Sequence, residues 1–160
     1  MMPRLRFRVR HWVRRWQELS GRERTTLLQA AALLPLARAA VRLLSPGAMR
    51  WLLARELRSH RERNSAAIRH RCEEVSRLVA IAAERGPVRA RCLPRALTAC
   101  LLLRRSGIAA DLRLGGALKD GRFAAHAWLE CEGEKFEVTR PPQPEFIPFD
   151  APLAAPRVRS

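Results

Sequence analysis

Cys92-Leu-Pro-Arg-Ala-Leu97, Leu102-Leu-Arg-Arg-Ser-Gly107 and Ala125-His-Ala-Trp-Leu-Glu130 are the stretches on which the fold turns. Cys92 and Pro94 open a helix whose apolar side is Leu93, Ala96, Leu97, Cys100 and Leu101, and Gly107 stops it. Beyond it the periodicity changes. Ile108 to Leu118 reads as a strand with a glycine pair, Gly115-Gly116, near its end. Asp120-Gly121 is a turn, Phe123 to Glu132 a second strand, and Gly133-Glu134 a tight turn into a third, Lys135 to Thr139. Pro141-Pro142 ends the hairpin, and Phe146 to Phe149 suits a short edge strand.

Upstream the chain is helical. Ser20-Gly-Arg-Glu23 has the form of a capping box before Thr25 to Ala32; Pro35 breaks or kinks that helix, which resumes over Leu36 to Leu44. Met49, Leu52, Leu53 and Leu57 suggest a short further helix. Ile68, Cys72, Val75, Leu78 and Ala82 mark a helix with one buried face, stopped by Gly86-Pro87. The fold class is therefore α+β: N-terminal helices followed by a small antiparallel sheet packed on the helix that starts at Cys92. Residues 1–63 form a basic helical region, 64–150 the core that carries the chemistry, and 151–160 a flexible tail.

Charge is unevenly placed. The 160 residues carry a net charge of +16, but residues 1–119 hold 26 basic and 8 acidic groups while residues 120–150 hold 3 and 7. The basic part calls for an anionic partner, and the Arg-rich N-terminus suits peripheral contact with an anionic membrane. The longest uncharged stretch of the first helices, Thr25 to Ala37, is 13 residues, too short for a spanning helix of about 20. The start lacks the apolar segment of a secretory signal, so Cys72, Cys92, Cys100 and Cys131 read as reduced thiols in a cytoplasm. Neither a P-loop nor a nucleic-acid-binding motif occurs, and one histidine with scattered cysteines does not make a zinc site.

Cys92 stands where a nucleophile would be built. The positive end of its helix and the neighbouring Arg89, Arg91 and Arg95 favour thiolate over thiol. The plainer reading is a small buried apolar group. His126, the only histidine in the strand half, shares a strand face with Trp128 and Glu130 while Ala127 and Leu129 point the other way. An imidazole on a strand beside a thiol on a helix is the arrangement of Cys/His hydrolases, in which histidine takes and returns the proton. Cys72 and Cys100 read as core, and Cys131 faces away from His126.

Taken together, the Cys92, Leu102-Leu-Arg-Arg-Ser-Gly107 and Ala125-His-Ala-Trp128 segments resemble the transglutaminase-like leader peptidases of lasso-peptide biosynthesis over roughly residues 70–150. The resemblance implies a papain-like Cys/His/acid site, with Cys92 as nucleophile and His126 as base, that cuts the leader from a ribosomal precursor and frees the core amine. It implies no cofactor. Its implied partners are the precursor peptide, a leader-recognition protein expected here as a separate polypeptide, and an ATP-dependent cyclase that closes the ring.

The acid is the open position. Glu137 is the nearest carboxylate in the neighbourhood where the family carries one. A Gly133-Glu134 turn, however, pairs Glu130 with Glu137 and sets Glu137 four residues from His126's level, too far for a direct bond. Glu130, Asp150 and Asp111 are the alternatives. A different class of function, a non-catalytic basic adaptor for nucleic acid or anionic membrane, would use the arginines of residues 4–15 and leave the thiol idle.

Overall fold

The computed structural model describes residues 16–45, 47–49, 64–86, 90–119, 121–139 and 146–149. Among the described residues, three long helices precede a four-stranded antiparallel sheet, an α+β architecture. Helix α1 spans Gly21–Leu43 and begins with the anticipated capping box: Glu23 N–H donates to Ser20 Oγ at 3.2 Å, and Ser20 N–H to Glu23 Oε2 at 2.8 Å. Pro35 does not break it. The helix runs through, so packing of Leu34 and Ala37 outweighs the one backbone bond that proline removes.

Helix α2 spans Ser65–Arg85, and Asn64 Oδ1 caps it by accepting from Ala66 N–H and Ala67 N–H. It ends at Gly86, where a Cβ would stand 2.4 Å from the Ala82 carbonyl oxygen. Helix α3 spans Cys92–Arg105 with Pro94 in its first turn; Gly107, at φ 81°, turns the chain out of it. Strands β1 (Ala110–Lys119), β2 (Arg122–Cys131), β3 (Glu134–Phe136) and β4 (Ile147–Pro148) follow, in the order β3-β2-β1-β4. The short helix suggested over Met49–Leu57, the residue Asp150 and the tail 151–160 lie wholly or mostly outside the described residues.

One apolar core joins the layers. Leu34 of α1, Leu78 of α2, Leu103 of α3, Leu112 of β1 and Leu129 of β2 are all fully buried in it. The Ala110 carbonyl accepts from Arg104 Nε at 2.7 Å and from Cys100 Sγ at 3.3 Å, which pins the end of α3 to the start of β1. The start of α3 is ~20 Å along the helix from that pin. His126, paired with Gly115 on β1, is about 17 Å along the strand from it.

The β2–β3 turn departs from expectation. It is Glu132-Gly133, with φ of 50° and 80°, rather than Gly133-Glu134. Cys131 pairs with Glu134, Glu130 with Lys135 and Leu129 with Phe136. The anticipated turn would have set two carboxylates, Glu130 and Glu137, directly opposite each other. The observed register sets a lysine opposite Glu130 instead, which cross-strand electrostatics favours.

Candidate active site

The register decides where Glu137 goes. Continued past Phe136, it places Glu137 beside Trp128, the diagonal neighbour of His126 on the same face. The side chains meet: His126 Nε2 lies 2.7 Å from Glu137 Oε2. The expectation that Glu137 lies too far for a direct bond is therefore corrected, because the turn sits one residue earlier and shifts the pairing by two.

Glu137 is held from its other side as well. Lys135 Nζ is 2.9 Å from Glu137 Oε1 and 4.8 Å above the Trp128 ring. Trp128 in turn stacks on His126 with centroids 6.2 Å apart, and the Phe146 ring lies 4.9 Å from the imidazole. His126 is thereby 4% exposed. Gly115 makes room for this cluster: a Cβ there would stand 2.6 Å from the Trp128 ring and 2.5 Å from the Ile147 carbonyl oxygen. Lys135, Phe146 and the role of Gly115 went unread in the sequence. Lys135 had a usable signal, since residues two apart on a strand share a face.

The other candidate acids are engaged elsewhere or not described. Glu130 Oε2 accepts from Arg113 Nε at 2.6 Å across the β1–β2 pair. Asp111 faces Arg104 at 3.2 Å, at the pinned end of β1. Asp150 lies outside the described residues.

Cys92 is the first residue of α3, half-buried and packed against the core. Arg91 precedes it without a side-chain cap, and Pro94 has no N–H, which leaves the Cys92 and Leu93 amides as the donors at this helix end. Arg95 Nε donates to the Ala90 carbonyl at 2.8 Å and holds the approach to the helix. Arg89 lies outside the described residues. α3 packs on β2, the strand of His126, but no hydrogen bond among the described residues joins the thiol to the imidazole. The structure thus brings His126 and Glu137 together and sets Cys92 on the helix against their strand.

The remaining thiols are core residues. Cys72, Cys100 and Cys131 are buried and unbridged. Burial pushes the Cys100 thiol up to about 11. Cys131 is pushed up by its hydrogen bond with Cys72 and then by burial. None of them has the half-exposed setting of Cys92.

The sequence profile of the transglutaminase-like superfamily matches residues 32–146, from within α1 through β3 to Phe146. The chain belongs to the transglutaminase-like superfamily. This superfamily is cysteine-protease-like, and the match contains Cys92, His126 and Glu137. No curated protein and no solved structure matches the chain.

Proposed function

We propose that this transglutaminase-like chain is a cysteine endopeptidase in which Cys92 is the nucleophile, His126 the acid–base and Glu137 the carboxylate that orients the imidazole. The observation that carries the reading is the 2.7 Å contact between His126 and Glu137 on the strand packed against the helix that begins with Cys92. With Nε2 engaged by the carboxylate, Nδ1 is the nitrogen left to exchange a proton with the thiol. Thiol–imidazole contacts are often long before substrate binds, and tighten with it.

The chemistry then runs in two halves. Cys92 Sγ gives its proton to His126 and attacks the scissile carbonyl carbon, and the oxyanion is met by the amides at the start of α3. The C–N bond breaks, the leaving amine takes the proton from His126, and a thioester remains on Cys92. Water, deprotonated by His126, attacks the thioester; the acid product leaves and the proton returns to sulfur. Every step uses groups of the chain and water alone.

The finer assignment follows from the sequence resemblance: the substrate is the leader–core junction of a lasso-peptide precursor. On this reading the chain works in the cytoplasm with a separate leader-recognition protein and an ATP-dependent cyclase. The test is to mix the purified chain, a lasso-peptide precursor and a leader-recognition protein, and to follow cleavage by mass spectrometry. A single cut that frees the core amine, blocked by prior thiol alkylation, supports the reading. No cleavage, together with binding of nucleic acid or anionic membrane that alkylation leaves intact, supports a non-catalytic adaptor instead.

A further inference from the structure

The outer side of α1 carries an apolar strip that is not buried among the described residues. Thr26, Leu27, Ala30, Leu34 and Ala37 turn inward and are buried, whereas Leu28, Leu36 and Leu43 are 59%, 65% and 82% exposed. At 3.6 residues per turn these leucines, with the exposed Ala32 and Ala39, fall within about 80° of the helix surface and extend along ~22 Å. No charged residue falls in that sector. The exposed Arg22 and Arg42 flank it, one on each side, and Glu23 is turned away to Arg77 of α2 at 2.5 Å.

We propose that this strip is the face by which the chain lies on an anionic phospholipid bilayer, with α1 in the plane of the interface. The leucines would enter the acyl boundary and Arg22 and Arg42 would meet lipid phosphates, the pattern of an interfacial amphipathic helix. Charge selects the occupant. A chain of net charge +16, with six arginines in the 15 residues before Trp16, is drawn to an anionic surface before any apolar contact forms.

The helix lies on the membrane rather than across it. By length and composition alone α1 is long and apolar enough to span a membrane. The 13-residue uncharged count did not anticipate this. Spanning would, however, strip Leu34 and Ala37 from the core, break the Glu23–Arg77 ion pair, and take Thr26 Oγ1 from Arg71 Nη2, 3.1 Å away. An interfacial position keeps all of these contacts.

The experiment is vesicle co-sedimentation of the full chain with phosphatidylcholine alone and with one-third phosphatidylglycerol, alongside the triple variant Leu28→Ser/Leu36→Ser/Leu43→Ser. The variant keeps the net charge and changes only exposed residues, so its thermal melt checks that the fold is intact. The expected result is binding to the anionic vesicles and at least a tenfold loss of affinity in the variant. Equal binding by the variant would reduce the contact to arginines alone and overturn the proposal. So would a wild-type dimer that ignores vesicles and is split by the three serines, which would assign the strip to a second copy. No binding of the wild type to anionic vesicles overturns it as well. None of these readouts depends on peptidase activity.

Discussion

His126 on β2 and Glu137 just past β3 meet at 2.7 Å, diagonally across an antiparallel pair whose turn is Glu132-Gly133. Under the proposed reading that contact gives the imidazole its role. A carboxylate on Nε2 would keep the ring from rotating and stabilise an imidazolium formed when a thiol gives up its proton.

Removing the base should cost more than removing its orienter. His126→Ala is expected to lower kcat/KM for precursor cleavage by about 10²–10⁴-fold, and Glu137→Ala by a smaller factor. Steady-state kinetics on folded variants checks the order. A silent Glu137→Ala beside a crippling Asp150→Ala would move the acid to the C-terminal segment.

Gly115 is a packing requirement of the same cluster. Gly115→Ala places a methyl 2.6 Å from the Trp128 ring and 2.5 Å from the Ile147 carbonyl, so both the ring and β4 must shift. The expected loss is about 1–3 kcal/mol by denaturant unfolding, with a fall in activity because Trp128 stacks on His126. Gly121→Ala makes a useful contrast: a Cβ there meets nothing, and only the φ of 72° is strained. If Gly115→Ala unfolds at the wild-type midpoint, the cradle is not tight.

The buried Cys100 thiol makes stability fall on the alkaline side. The folded chain holds the Cys100 proton up to about 11, because burial disfavours the thiolate, whereas an unfolded cysteine ionises near 8.5. Between about 8.5 and 11 the unfolded state binds fewer protons than the folded one, so stability falls as pH rises through that window. Cys100→Ala should flatten this fall by about one proton's slope, at the cost of a small cavity. Chemical denaturation at several pH values checks it; an unchanged slope would mean that Cys100 ionises alike in both states.

Much of this arrangement is legible in the residues. Ser20 and Glu23, Pro94 and Gly107 mark helix ends by local chemistry that tertiary structure had no reason to override. The places of Cys92 at a helix start and of His126 on a strand face were legible from periodicity. The register of β3 was not. Glycine tolerates either turn position, and only the cross-strand choice between Glu130 opposite Glu137 and Glu130 opposite Lys135 separates the two alignments. The continuity of α1 through Pro35 was equally hidden, because it depends on the α2 and α3 surfaces that bury Leu34 and Ala37.

The most direct measurement is precursor cleavage by the wild type and by Cys92→Ala at matched concentration and fold, followed by mass spectrometry, with Cys72→Ala, Cys100→Ala and Cys131→Ala as controls. The account predicts that Cys92→Ala forms no product while the three controls keep the chemistry and lose at most stability. Normal turnover by Cys92→Ala would contradict it.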